Sequence, residues 1–161
     1  MKWTIQELAK IGRFGFSINE MISCDRFLAP DDPDILSISD VHVEGSMRIV
    51  NREERFEFSL RIQCTLTMPC AITLEPLEVP LDFETELAFA TKNLDDFTHK
   101  IDGITLDLDP YIFAEILVEK PYRVTSEHAY DHYQEENIAL DPDEVAENNP
   151  FAALQQKKHR R

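Results

Sequence analysis

RFEFSLRIQCTLTMPC, residues 55–70, alternates apolar and polar side chains along its whole length. Phe56, Phe58, Leu60, Ile62, Cys64, Leu66, Met68 and Cys70 share one parity; Glu57, Ser59, Arg61, Gln63, Thr65, Thr67 and Pro69 share the other. The alternation lapses over Ala71 to Pro76, then resumes with Leu77, Val79, Leu81, Phe83, Leu87 and Phe89 on one parity and Glu78, Pro80, Asp82, Glu84 and Glu86 on the other. Thr85 is the one polar member of the apolar set. Period two sends one face to a core and the other to water. A 3.6 period would scatter the same residues around a helix axis. The stretch therefore predicts a long antiparallel pair whose wet face is acidic on its second strand. Phe56 to Met68 would extend about 43 Å at ~3.3 Å per residue. A compact domain of about 125 residues has a radius of gyration near ~14 Å. The expected fold class is α+β, with a strongly curved, barrel-like antiparallel sheet meander and a few short helices. Pro80 has no N–H and belongs at an edge or a bulge.

Upstream, Val41, Val43, Gly45, Met47 and Ile49 alternate, and a turn at Asn51-Arg52-Glu53-Glu54 leads into the long pair. Strands near 41–50, 55–70 and 77–90 then form a meander. Phe14, Phe16 and Ile18 suggest a first strand, and the acidic, proline-containing run 25–34 a loop. At the N-terminus Thr4 and Glu7 have the spacing of a capping box, Trp3 and Leu8 that of a hydrophobic staple, and Gly12 ends the helix. Ile104, Leu106 and Leu108 fit a short strand. Asp109-Pro110 fits the cap and first turn of a helix whose apolar face is Ile112, Phe113, Ile116 and Leu117, stopped by Pro121.

The chain of 161 residues is expected to form one α+β domain over residues 1–125, followed by two segments. Residues 126–149 hold eight acids and no Lys or Arg, the composition of a flexible solvated block. Residues 150–161 read as a short helix ending in Lys157, Lys158, His159, Arg160 and Arg161. The net charge of −15 disfavours non-specific binding to nucleic acid and suits a basic partner or simple solubility. Three cysteines and no apolar N-terminal signal point to the cytoplasm. No run reaches the ~18 apolar residues of a membrane span.

No nucleophile elbow, phosphate loop or dinucleotide turn is present, so an enzyme is not expected. No cofactor is expected either. His128 and His132 have helical metal-ligand spacing but lack the His-Glu-x-x-His order, so solvated histidines are the favoured reading. Neighbouring outward acids on the second strand lie about 7 Å apart, too far to hold one magnesium ion unaided. The cysteines read as buried small hydrophobes.

Leu66-Thr67-Met68-Pro69-Cys70-Ala71-Ile72-Thr73-Leu74-Glu75-Pro76 resembles the central signature of the YceD family, the large ribosomal RNA subunit accumulation proteins of bacteria and plastids. Members read apolar-Pro-Cys-x-Arg-(Thr or Cys)-Leu, and Ile72 stands here in place of the arginine. The opening Met1-Lys2-Trp3, with Ile5, Gln6 and Leu8, is similar to members from low-GC Gram-positive bacteria. So is the order Leu108, Glu115, Pro121, Arg123, Val124, and so is the closing Asn149-Pro150-Phe151-Ala152 with Leu154. The cysteine-rich C-terminal segment of some members is absent, and no metal is expected.

The resemblance implies a non-catalytic factor supporting synthesis, processing or stability of 23S ribosomal RNA and large-subunit assembly. Its partner would be a basic ribosomal protein or a precursor large-subunit particle, with 23S RNA contacted indirectly and no DNA or membrane involved. The alternatives are direct binding of ribosomal RNA through the terminal cations and, less favoured, an RNA-processing hydrolase. The expected binding surface is the connection bearing Pro69, Cys70, Thr73, Leu74, Glu75 and Pro76, where the alternation breaks.

Overall fold

The structure is a computed structural model and describes residues 1–50 and 55–131. The turn expected at 51–54, the acidic segment beyond Asp131 with His132, and the basic-ended helix 150–161 lie outside the described residues. In chain order the elements are β1 (Lys2–Thr4), α1 (Ile5–Ile11), β2 (Phe16–Ile22), a 3-10 turn (Asp25–Phe27), β3 (Ser37–Ile38), β4 (Val41–Val50), β5 (Arg55–Pro69), β6 (Pro76–Ala90), β7 (Thr98–Lys100), β8 (Thr105–Asp107) and α2 (Asp109–Glu119).

The expected meander is present as the centre of a six-stranded sheet ordered β2-β4-β5-β6-β7, with β3 in line beyond β4 against β5. Pairing is antiparallel except for β6 with β7. The register joins Phe58 to Leu87 and Met47, and Ile62 to Phe83 and Val43, so the apolar parities of three strands coincide. Along β5, Phe56 through Met68 are buried at every second position. On β6 the same parity is half-buried from Leu77 to Thr85 and fully buried at Leu87 and Phe89.

The barrel-like curl is not found. The sheet stays open, with β2 at one edge and β7 at the other. Its inward face is covered instead by Leu8 of α1, Cys24 and Ile35 of the β2–β3 connection, and Leu108, Ile112 and Ile116 at and within α2. With those elements supplying the second layer, the sheet has no apolar face left to close upon itself. The stretch of β6 from Pro76 to Leu87 has no second strand partner among the described residues, so Pro80 sits on an edge.

Several local expectations are met and others corrected. The capping box forms: the Thr4 hydroxyl accepts the Glu7 N–H at 3.2 Å, and the Glu7 carboxylate accepts the Thr4 N–H at 2.8 Å. Trp3 lies in β1, its ring 6.3 Å from that of Phe16 and 6.2 Å from that of Phe58. Phe14 is not in the first strand but 93% exposed, because Gly15 at φ 75 turns the chain before β2 begins. Asp109 does not cap α2. Leu108 holds that position, and the carboxylate of Asp109, 8% exposed, bonds the amino group of Met1 and, at 2.5 Å, the Arg26 guanidinium. Leu117 is exposed rather than on the apolar face of α2. Thr85, the polar exception on the inward parity, donates its hydroxyl hydrogen to Glu115 of α2 at 2.8 Å. No helix among the described residues is long and apolar enough to cross a membrane.

Candidate functional site

Pro69 pairs with Pro76 at the end of the long hairpin, leaving residues 70–75 to make the connection. The connection is held by its own backbone. Cys70 N–H donates to Glu75 O at 2.8 Å, and Leu74 N–H to Cys70 O at 3.0 Å. Thr73 Oγ1 donates to the Glu75 carboxylate at 3.3 Å and accepts the Glu75 N–H at 3.5 Å. To close this turn Leu74 takes φ 61, the left-handed region. A non-glycine residue there costs about 1–2 kcal/mol. Its side chain is 75% exposed, so core packing does not offset that cost.

The return of the chain after α2 completes the site. Ala71 N–H donates to Val124 O at 2.8 Å, which lays Tyr122, Arg123 and Val124 against the connection. On the other side Leu36 N–H donates to Thr67 O at 2.8 Å. Pro69, Cys70, Leu74, Tyr122 and Arg123, with Asp34, line a depression of about 320 Å³. Tyr122 is 86% exposed, and the Arg123 guanidinium lies 5.5 Å from its ring centroid. Of the six residues expected from the sequence, Pro69, Cys70 and Leu74 line this depression, and Thr73, Glu75 and Pro76 lie in the same connection or at its edge without lining it. Leu36, Tyr122 and Arg123 were not among them. The Pro121 helix stop was a signal that the chain turns here, but where it returns is a tertiary fact. Ile72 is half-buried, and the guanidinium at this depression comes from Arg123 instead.

The cysteines divide. Cys24 and Cys64 belong to the core, where burial pushes both thiols up to about 11. Cys70 is buried as expected, but inside the connection and outside the main apolar cluster. Thr73 donates its N–H to Cys70 Sγ at 3.5 Å. Hydrogen bonds from Thr73, then from the backbone at Ile72 and Ser126, pull the thiol down to about 6 from 9.0. All three thiols are free. Among the described residues no group of three His, Cys, Asp or Glu side chains converges on a metal position.

The sign of the Cys70 effect follows from linkage. A depressed folded pKa means the unfolded chain binds more protons between about 6 and 9. The contribution is complete above the ordinary thiol value and is lost as pH falls through the folded one. Thermal melts across that range should therefore show a rise in the wild-type midpoint that is missing in Cys70→Ala. Parallel pH curves for the two proteins would mean that Cys70 is an ordinary thiol.

The sequence profile described as large ribosomal RNA subunit accumulation protein YceD matches residues 58–157, from near the start of β5 through this site and beyond. The chain belongs to the YceD family. Its process is accumulation of large-subunit ribosomal RNA. A relative, the uncharacterized protein YlbN of Bacillus subtilis (strain 168), is 30% identical over 131 residues, covering 79% of this chain and 74% of its own. No solved structure matches.

Proposed function

We propose that this YceD-family chain is a non-catalytic cytoplasmic factor for 23S ribosomal RNA accumulation. It acts by binding a basic ribosomal protein or a precursor large-subunit particle, and its hairpin end is the contact surface. The observation that carries this reading is Leu74, an exposed leucine kept in a left-handed turn on the stretch bearing the family signature, with exposed Tyr122 lining the same depression. Strain held at a surface without packing to justify it points to recognition. The acidic composition supports a basic protein partner over RNA itself.

Leu74→Gly separates recognition from folding, because glycine adopts the turn without strain. Stability is expected to hold or to rise by up to about 1 kcal/mol. Large-subunit RNA in cells relying on the protein is expected to fall. Tagged protein should still bring down large-subunit components after RNase, and Leu74→Gly should lose them. Full restoration of ribosomal RNA by Leu74→Gly would move the site elsewhere. Capture that vanishes with RNase would favour direct RNA binding.

A further inference from the structure

Among the described residues no element covers the sheet's outward face. Its side chains form cross-strand rows. Ser17, Ser46 and Ser59 lead to Glu86 in one row, and Asn19, Glu44 and Arg61 lead to Glu84 in the next. Small side chains in the first row beside long ones in the second leave a trough of about 630 Å³ across β2, β4, β5 and β6, whose lining includes Ser17, Glu44, Ser59, Glu84 and Glu86. A second depression of about 220 Å³ shares Ser59 and Glu86 with it and runs on to Phe97, 90% exposed. The two form one continuous path over the face.

Arginines also line this path, Arg61 in the trough and Arg48 and Arg55 in the second depression, but each is held by a carboxylate. The cations of β2, β4, β5 and β6 are Arg48, Arg55 and Arg61. Arg48 binds Glu57 at 2.7 Å, and Arg55 binds Glu57 at 2.5 Å and Asp95 at 3.4 Å. Arg61 makes two 2.7 Å bonds to Asp82. Among the described residues Glu44, Glu84 and Glu86 have no ion-pair partner, although Glu44 and Glu84 feel the Arg61 charge at longer range. The trough wall thus carries Glu44, Glu84 and Glu86 in excess over Arg61, whose guanidinium is already bound to Asp82.

We infer that this trough seats an extended lysine- or arginine-bearing segment of the basic partner protein, crossing the strands between Glu44 and Glu86 and reaching toward Phe97. The inference rests on the proposed reading that the partner is a basic protein. Phosphates would be repelled by the same carboxylates, and a second copy of so acidic a chain would be repelled as well. From β2 to β6 are three strand spacings, about 14 Å at ~4.8 Å each, the reach of four or five extended residues. Such a segment can place alternate cationic side chains down into the trough.

The test compares two variants that remove the same charge. Glu44→Gln/Glu84→Gln/Glu86→Gln strips the trough, and Asp31→Asn/Asp40→Asn/Glu119→Gln strips exposed acids elsewhere. Thermal melts establish that both are folded. The probe is a synthetic octapeptide alternating lysine and serine, followed by amide NMR shifts of the full chain at physiological salt. Shifts are expected at Ser17, Gly45, Ser59 and Glu86, with affinity about tenfold weaker in the trough variant and little changed in the control. In cells the trough variant is expected to lower large-subunit RNA. Equal weakening in both variants would reduce the effect to net charge and overturn the inference. So would shifts at the same amides caused by an RNA oligonucleotide. If the trough variant restores ribosomal RNA while the wild type captures ribosomal proteins after RNase, the trough inference fails and the proposed function stands. If the wild type captures none, the proposed function fails first.

Discussion

Phe58→Ala is expected to lower folding stability by about 3–5 kcal/mol, the cost of a large cavity in a close-packed core. Phe58 is 1% exposed, and its ring meets Phe89 edge-on at 5.7 Å and Trp3 at 6.2 Å. It therefore ties three distant parts of the chain: the start, the first part of β5 and the end of β6. Aromatic pairs of this kind add about 0.5–1.5 kcal/mol beyond area burial. Against a total stability of about 5–15 kcal/mol the loss is severe. A melting midpoint lower by roughly 6–20 °C is expected for a chain of this length. Urea unfolding should show a lower midpoint with the slope retained. Phe83 shares the inward parity but is only half-buried, so Phe83→Ala should cost less. Equal losses at the two positions, or none at Phe58, would mean that the strand registers differ from those described.

The parity that makes Phe58 a core residue was legible from residues 55–90 alone. A half-buried strand writes its two faces into the sequence at period two, and fifteen residues repeat the message often enough to fix it. The overall shape was not written there. Strand length suggested a barrel, but whether a sheet curls depends on what covers its apolar face. Here α1, α2 and the β2–β3 connection do so. Short pairings escaped for a different reason. The alternation of Ile104, Leu106 and Leu108 did mark β8, but β1 with β8, and β6 with β7, pair over only three residues, too few for the pattern to name a partner. Asp109 misled because aspartate before proline is a good local cap, whereas its partners Met1 and Arg26 are remote in sequence.

The candidate site divides the same way. The break in alternation located the hairpin end, since a chain leaving a regular ladder must stop obeying its period. The left-handed turn fell on Leu74, a residue that gives no local warning of positive φ, and the depression needs Tyr122 and Arg123 from beyond α2. Cys70 looked like one more inward cysteine because its parity matches Cys64. Only the folded connection aims N–H groups at its sulfur.

Gly45→Ala is expected to be among the most damaging single substitutions in the chain. Propensity alone argues the opposite, since glycine inside a strand is weaker than most residues. Gly45 lies within β4, flanked by Ile18 of β2 and Leu60 of β5. A Cβ there would stand 2.1 Å from Ser59 O and 2.9 Å from Leu60 Cα. Both are backbone atoms of the adjacent central strand, so no rotamer change relieves the overlap. β4 and β5 would have to separate locally, and the ladder bonds around Gly45 would be lost while their groups stay partly buried. Repulsion at that distance exceeds the fraction of a kilocalorie that propensity offers, and the destabilisation should reach the ~4 kcal/mol range of exceptional mutants. The same backbone forms part of the trough floor, so peptide binding should fail along with stability. Hydrogen exchange checks the mechanism: amides of β4 and central β5 should lose protection first, and those of α2 last. A Gly45→Ala protein with an unaltered urea midpoint would show that the two strands do not approach as closely as described.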